Sequence, residues 1–240
     1  MSFAYVRLPF RNAYNIRDLG GYSCGPGKAT KWGAFLRADD LGWLERDEID
    51  FLKSYGITTV IDLRGASEIE SLPDPFKAEE GVDYHSIPFM TKAITDITRV
   101  LDETPASFLE NFYIELLKHG QEAVKEIFET IAKSQGSVLF HCTAGKDRTG
   151  VIAMLLLGLA GVAEPDIVAN YEITYTYFKR NPIIQKVDPS LNVLYSKSEF
   201  IEKAISYIND SFGNVPQYLE SAGVSHETMR VIVDKLTQSV

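Results

Sequence analysis

The chain has 240 residues, 45% of them hydrophobic, so it can bury a substantial core, and we expect a single domain over residues 1–240. The formal net charge is -9 and the pI is about 5.0, which argues against nucleic acid or an anionic membrane surface as a partner. The chain's two cysteines lie far apart in sequence, so neither a disulfide framework nor a zinc site is indicated.

Two segments, the N-terminal one and the most apolar one, indicate the cellular compartment of the protein. Residues 1–30 contain three arginines and lack the uninterrupted apolar stretch of a signal peptide. The run 151–163 is shorter than the roughly 20 residues that a bilayer-spanning helix needs, which predicts a buried core helix. We therefore expect a cytoplasmic protein without stable membrane insertion.

The first predicted elements are short. Glycine-rich turns over 20–27 lead into a predicted strand at 32–37. The apolar spacing over 46–55 predicts a helix, and the glycine that follows, Gly56, suits a left-handed C-terminal cap.

Two strands follow this helix. Residues 57–63 are β-branched and mostly apolar, as expected of a strand buried in a parallel sheet, and the end of this strand carries Asp62 and Arg64. Residues 84–89 predict a shorter strand, whose ladder Pro88 should limit.

The next segment alternates helices with a strand. Thr104 and Pro105 suit the start of a helix with an apolar stripe over 108–116, and a second helix is predicted over 121–134. A strand at 137–140 follows. Strands joined by helical crossovers predict an α/β fold with a central, mostly parallel sheet flanked by helices and with the active loops at the carboxyl ends of the strands.

The remaining chain is predicted to be helical. Residues 196–199 read as a capping box before an apolar helix. Ile167, Tyr171, Tyr175 and Phe178 recur at helical spacing and are interpreted first as a packing stripe.

The segment 141–150, His-Cys-Thr-Ala-Gly-Lys-Asp-Arg-Thr-Gly, lies between a predicted strand and the predicted buried helix. A tight loop that enters a helix directs successive backbone N–H groups inward, and the helix dipole attracts an anion. We expect this loop to bind a phosphate ion. The residues expected to contact it, apart from Arg148, are Thr143, Ala144, Gly145, Lys146 and Thr149.

The side chains of this loop predict nucleophilic chemistry on phosphorus. The amides, the helix dipole and the neighbouring cations should favour the thiolate of Cys142. Arg148 can present its planar fork to two phosphate oxygens, which Lys cannot do. Gly145 should supply backbone freedom at the bend, and the Thr149 hydroxyl is placed to hydrogen-bond the sulfur when it is expelled.

These residues match the Cys-x5-Arg-Thr/Ser signature, and the chain resembles the protein tyrosine phosphatase superfamily, in particular its bacterial tyrosine-specific and dual-specificity members. Segments 15–22, 32–41 and 62–64 are also similar to that family, so the resemblance runs from about residue 15 to residue 161. It implies hydrolysis of protein phosphotyrosine through a phosphocysteine intermediate, without a metal or an organic cofactor.

The general acid is less evident, because the Trp-Pro-Asp tripeptide of the wider superfamily does not occur in this sequence. The resemblance points to Asp147 inside the loop. Asp62 at a strand end is the structural competitor, and Asp74 is a third candidate. For Asp62 and Arg64 a strand-end ion pair is the alternative to a site role.

Other polar residues near these motifs have structural interpretations. His141 is expected to orient the loop rather than to act as a base, because a preformed thiolate needs none. Arg17 and Asp18 could hold the N-terminal segment by ion pairing or could contact substrate. Cys24 is interpreted as a packing residue.

Several functions compete with phosphotyrosine hydrolysis. A lysine inside the loop also resembles the phosphoinositide phosphatases, so a phosphoinositide or broad dual-specificity substrate is the first alternative. A non-catalytic phosphate-binding module and a rhodanese-like sulfurtransferase are less favoured, because Cys142, Arg148 and Thr149 are all present. The loop also lacks the preceding glycine of a nucleotide-binding motif.

Overall fold

The computed structural model of the chain describes residues 4–89, 106–182, 185 and 195–240. Its strands are β1 (Arg17–Asp18), β2 (Lys28–Thr30), β3 (Phe35–Ala38), β4 (Ile57–Asp62), β5 (Asp83–Ser86), β6 (Ser137–His141) and β7 (Thr237–Ser239). Its α-helices are α1 (Arg46–Tyr55), α2 (Ala66–Ser71), α3 (Ala106–His119), α4 (Gln121–Lys133), α5 (Asp147–Leu159), α6 (Glu164–Phe178), α7 (Ser198–Phe212), α8 (Val215–Ser221) and α9 (His226–Leu236).

Five of these strands form the central sheet, in the order β1-β3-β6-β4-β5. Strands β3, β6, β4 and β5 are parallel, and β1 pairs antiparallel with β3 at the edge. Strands β2 and β7 form a separate antiparallel pair. The predicted mostly parallel α/β fold with a helical C-terminal part is confirmed.

Alternating side chains of the central strands pack on opposite faces of the sheet. In β6, Val138 and Phe140 belong to one hydrophobic cluster, whereas Leu139 belongs to the other. The first cluster includes α5, and the second includes Ile49 and Leu52 of α1. Because successive residues of a strand point to opposite faces, β6 is covered by helices on both sides.

Helix α5 is the central helix of the larger cluster. Its residues from Thr149 to Leu157 are all buried, so the apolar run in the sequence is a core helix, as predicted. None of the helices within the described residues has the length and apolar character needed to cross a membrane.

Most predicted elements coincide with observed ones. Helix α1 ends at Gly56 with a φ of 104°, the left-handed cap that the sequence predicts. Strand β5 ends two residues before Pro88, while α4 and β6 lie where they are expected. The predicted N-cap at Thr104 and Pro105 lies outside the described residues.

The predicted capping box at 196–199 is wrong. Helix α7 begins at Ser198, and its N-cap residue Lys197 makes no side-chain capping hydrogen bond. The Ser196 hydroxyl instead donates to the Glu172 carbonyl and accepts the Tyr175 N–H, so it joins this segment to α6.

We expect Leu155→Ala in α5 to lower the free energy of unfolding by about 2–5 kcal/mol, because truncation of a fully buried leucine leaves a cavity in the core. Leu159→Ala at the partly buried end of the same helix is the matched control and should cost clearly less. Urea unfolding of both variants measures this difference, and equal losses would contradict the placement of α5.

Candidate active site

The loop between β6 and α5 lies at the carboxyl edge of the sheet, where β6 is flanked by β3 and β4. Cys142 directly follows β6 and is 2% exposed. Gly145 has a φ of 62°, and a Cβ atom at this position would lie 2.5 Å from the carbonyl oxygen of Ala38. Only glycine therefore lets the loop pack against the end of β3, in agreement with the predicted bend.

Hydrogen bonds from outside the loop fix the direction of its peptide groups. The Asn15 side-chain amide donates to the carbonyls of Ala144 (3.1 Å) and Gly145 (3.0 Å). The Arg37 guanidinium donates to the Gly145 carbonyl at 2.7 Å. Because N–H and C=O point in opposite directions in a trans peptide, the N–H groups of Gly145 and Lys146 point away from these donors. This arrangement is that of an anion-binding loop.

Two buried arginines, Arg17 and Arg37, form hydrogen bonds with residues of α6. Arg37 donates to the Asn170 side-chain oxygen at 2.7 Å, and Arg17 donates to the Asn170 carbonyl at 2.7 Å and to the Thr174 hydroxyl at 2.9 Å. The two arginines face each other across β1 and β3. Burial lowers the pKa of Arg37 to about 10, so the group stays protonated at neutral pH.

Asp18 does not pair with Arg17, so ion pairing between them, one of the two alternatives that the sequence leaves open, is not observed. Its carboxylate accepts the N–H groups of Gly20 (2.7 Å) and Gly33 (2.8 Å) and the Tyr55 hydroxyl (2.7 Å). Asp18 thus holds the N-terminal segment through other partners.

Arg148 forms a two-point ion pair with Glu68 of α2. Its terminal nitrogens lie 2.7 and 2.8 Å from the two carboxylate oxygens, and the Thr143 hydroxyl also donates to Glu68. Burial opposes ionisation of Glu68, but the Arg148 hydrogen bonds outweigh it and lower its pKa to about 2. Glu68 therefore orients the Arg148 fork beside the loop.

Sequence reasoning missed Glu68. A local signal was present, because Glu68 stands three residues after Gly65 and its carboxylate accepts the Gly65 N–H at 2.9 Å. An acidic residue in this position of a helix that directly follows a strand end could have been proposed as a cap. Its pairing with Arg148, 80 residues away, had no local signal.

Asp147, the first residue of α5, has a partly exposed side chain. The Tyr113 hydroxyl donates to its carboxylate at 2.5 Å, and the hydroxyls of Tyr113 and Tyr171 lie 2.6 Å apart. The Lys146 ammonium lies 3.4 Å from the same carboxylate oxygen. Asp147 is thus held next to the loop while its side chain remains partly exposed.

Asp62 and Arg64 are fully buried and pair with each other. Arg64 donates to both Asp62 oxygens, at 2.9 and 2.7 Å, and the Tyr84 hydroxyl donates to Asp62 at 2.8 Å. Burial opposes ionisation of Asp62, but the Arg64 hydrogen bonds outweigh it and lower its pKa to about 2. The geometry does not support the predicted catalytic role of Asp62 or the predicted substrate contact of Arg64, and the alternative of a strand-end ion pair agrees with it.

His141 and Asp74 extend this buried charge cluster. The His141 Nε2 atom lies 3.0 Å from Asp74 and 3.7 Å from Asp62. Burial opposes protonation of His141, but the two carboxylates outweigh it and raise its pKa to about 9. A protonated histidine cannot act as a base at neutral pH. The positive charge of Arg64, which pairs with Asp62, also opposes a metal ion among these carboxylates.

Two further loop residues are buried. The Lys146 ammonium donates to the Tyr195 carbonyl at 3.2 Å, and Lys146 is 3% exposed. The Thr149 hydroxyl, in the first turn of α5, has no hydrogen-bond partner among the described residues. An unpartnered hydroxyl in this turn is compatible with the predicted bond to the nucleophilic sulfur.

Residues interpreted as packing in the sequence lie accordingly. The Cys24 thiol is partly buried and lies 3.6 Å from the Tyr22 carbonyl oxygen. Ile167, Tyr171 and Phe178 are buried on one side of α6, whereas Tyr175, the fourth member of the predicted stripe, is only partly buried and packs against Tyr195. Tyr171 nevertheless reaches the site through its contact with Tyr113.

Known proteins resemble the chain over almost its whole length. The sequence model of the Tyrosine phosphatase family matches residues 8–238, which extends the sequence resemblance across the C-terminal helices. A tyrosine-protein phosphatase of Nostoc commune is 34% identical, and the match covers 86% of this chain and 75% of that protein. The triple specificity protein phosphatase PtpB of Mycobacterium tuberculosis is 24% identical, with 90% and 94% covered.

A comparison of structures finds the crystal structure of P. aeruginosa TpbA, with 14% identity, a TM-score of 0.38 and coverage of 85% of this chain and 97% of that chain. The family assignment depends on the sequence matches alone. Because the family model spans residues 8–238 and the Nostoc relative is more than 30% identical, the chain belongs to the Tyrosine phosphatase family.

Proposed function

We propose that this chain is a protein tyrosine phosphatase, active as a single domain over residues 1–240, that hydrolyses phosphotyrosine through a phosphocysteine intermediate. The observation that carries the proposal is the loop 142–148, whose outward carbonyls are bonded to Asn15 and Arg37. The amides of Gly145 and Lys146 point away from these donors and are groups that would bind the oxygens of a phosphoryl group at Cys142. Membership of the family supports the same chemistry.

In the first proposed step, the Cys142 thiolate attacks phosphorus, and the bond from phosphorus to the tyrosine oxygen breaks. Asp147 donates its proton to that oxygen, so tyrosine leaves as a neutral phenol. Arg148 and the amides of residues 143–146 hold the phosphoryl oxygens, and Arg148 compensates their charge in the transition state.

In the second proposed step, water attacks the phosphorus of phosphocysteine, and the sulfur–phosphorus bond breaks. The Asp147 carboxylate takes a proton from the attacking water, inorganic phosphate forms in the loop, and the expelled thiolate is stabilised by the Thr149 hydroxyl. This cycle restores both Cys142 and Asp147 and uses only side chains and backbone of the chain.

The accessibility of Asp147 favours it over its two competitors as the general acid. Its side chain is 25% exposed, whereas those of Asp62 and Asp74 are 0% exposed. Both competitors are also engaged in the ion pairs around His141 and Arg64. A donor has to reach the leaving oxygen, which favours the partly exposed carboxyl group.

Phosphotyrosine is preferred over phosphoinositides as the substrate. The argument for phosphoinositides depends on a lysine that contacts additional phosphate groups, but Lys146 is buried and bonded to the Tyr195 carbonyl. The PtpB relative is named a triple specificity phosphatase, so a broader substrate range is the second candidate. A panel of phosphotyrosine, phosphoserine and phosphoinositide substrates separates the two.

Both cysteines are free thiols. A nucleophilic Cys142 has to remain reduced to act, so we propose a location in the cytoplasm.

We expect Cys142→Ser to abolish phosphotyrosine hydrolysis, by about 10³-fold or more, because a hydroxyl is a far weaker nucleophile than a thiolate. The variant should still bind the substrate and remain folded. Steady-state assays with a chelator present measure the loss, and Cys24→Ser is the matched control that should retain activity. Substantial turnover by Cys142→Ser would exclude the cysteine mechanism.

Arg148→Lys should lose nearly as much activity as Arg148→Ala, about 10²–10³-fold in kcat, because one ammonium group cannot replace two parallel guanidinium hydrogen bonds. The exposed Arg230 on α9 provides the control, and Arg230→Lys should behave as wild type. Near-normal kcat for Arg148→Lys would show that charge alone is sufficient.

The acid assignment predicts a dependence on the leaving group. We expect Asp147→Asn to slow phosphotyrosine by about 10²-fold but to slow aryl phosphates with acidic phenols much less, since a stable phenolate needs little protonation. The slope of log kcat against leaving-group pKa should therefore steepen.

Asp62→Asn is the control for this experiment. Asp62 is buried and ion-paired, so its variant should lose stability without a steeper leaving-group dependence. A steeper slope for Asp62→Asn, together with an unchanged slope for Asp147→Asn, would show that Asp62 and not Asp147 is the general acid.

A further inference from the structure

A cavity of about 280 Å³ adjoins the phosphate-binding loop. Its walls are largely apolar. We call it the Trp43 pocket and define it by Tyr14, Trp43, Leu72, Thr143, Phe178 and Pro182.

Thr143 belongs both to the loop and to the wall of the Trp43 pocket. It directly follows Cys142, so the pocket opens at the rim of the phosphate-binding loop. A peptide that leaves the loop on this side passes the pocket with the residues next to its phosphotyrosine. The pocket is therefore within reach of a residue close to the phosphotyrosine.

Trp43 is 59% exposed, although it is a large apolar side chain. An exposed tryptophan beside a cavity offers a broad apolar face for packing against a ligand. Leu72 and Phe178, which come from the segment after α2 and from the end of α6, line the same cavity. Apolar residues from separate parts of the chain thus meet at one side of the loop.

Three of the polar side chains that line the pocket, those of Asp39, Asp40 and Thr143, already have partners inside the protein. The Asp39 carboxylate accepts two backbone N–H groups, at 3.0 and 2.9 Å. Asp40 pairs with Arg64 at 2.8 Å, and the Thr143 hydroxyl donates to Glu68. A cationic or strongly polar ligand group would have to compete with these bonds, whereas an apolar group would not. The lining therefore favours an apolar occupant.

We propose that the Trp43 pocket binds an apolar or aromatic side chain that flanks the phosphotyrosine of a peptide substrate. The proposal depends on the proposed phosphotyrosine phosphatase activity and adds a sequence preference to it. The phosphate-binding loop holds the phosphoryl group, and the Trp43 pocket selects the residue beside it. Burial of one such side chain increases kcat/KM by about tenfold or more.

The experiment compares pairs of phosphotyrosine peptides that differ in one flanking residue, which is leucine or phenylalanine in one peptide and serine in the other. Each flanking position is tested in turn. For wild type we expect a kcat/KM ratio of about ten in favour of the apolar peptide at one position. Trp43→Ala and, as a second variant, Leu72→Ala should reduce this ratio towards one, with circular dichroism used to verify folding.

Ile173→Ala is the matched control, because Ile173 is an exposed apolar residue of α6 that does not line the pocket. It should keep both the activity and the ratio of wild type. Free phosphotyrosine is included as a substrate without flanking residues.

The outcomes separate this proposal from the proposed function. Three outcomes would refute the role of the Trp43 pocket without refuting the phosphatase activity. They are a wild-type kcat/KM ratio near one at every flanking position, a preference for basic flanking residues, and equal losses on both peptides in Trp43→Ala. Selective turnover of phosphoinositide vesicles, without hydrolysis of free phosphotyrosine or of any peptide, would refute both.

Discussion

The hydrogen bonds that Asn15 and Arg37 donate to the carbonyls of the phosphate-binding loop are the interactions on which the rest of the site depends. A five-residue turn between a strand and a helix has many possible backbone conformations. These donors, together with the glycine at position 145, select one in which the following amides point inward. The proposed nucleophile Cys142, the proposed acid Asp147 and Arg148 are then arranged around this loop.

The same interactions explain why an acidic protein keeps arginines in its interior. Burial of a guanidinium group is costly unless it is paired or fully hydrogen-bonded. The terminal nitrogens of Arg17 and Arg37 donate to Asn170 and neighbouring oxygens, while the Nε atom of each has no hydrogen-bond partner among the described residues. Arg64 pairs with Asp62, and Arg148 pairs with Glu68. Arg37 is hydrogen-bonded to neutral oxygens rather than to a carboxylate, so it keeps its positive charge next to the proposed phosphate-binding loop, where that charge would attract a phosphate dianion despite the net charge of -9.

The periodicity of the sequence predicted the four parallel strands β3, β4, β5 and β6, the helices that flank the sheet and the buried helix α5, because these follow from local patterns of apolar residues. The short strands β1, β2 and β7 were not predicted. The spacing of Cys142 and Arg148 likewise identified the loop. Side-chain networks between distant segments could not be predicted, because only the fold brings Glu68 next to Arg148 and Tyr113 next to Asp147. Asp62 was predicted as a site residue because it lies at a strand end. Its burial and its ion pair with Arg64 could be seen only in the structure.

The central claim is that Cys142 carries the phosphoryl group between the two steps. Rapid quenching of the enzyme during turnover of phosphotyrosine, followed by mass spectrometry of its proteolytic fragments, tests this claim most directly. The account predicts a transient addition of one phosphoryl group on the fragment that contains Cys142, which forms and decays at rates compatible with kcat. Turnover without any phosphorylated enzyme, or phosphorylation of a different side chain, would contradict it.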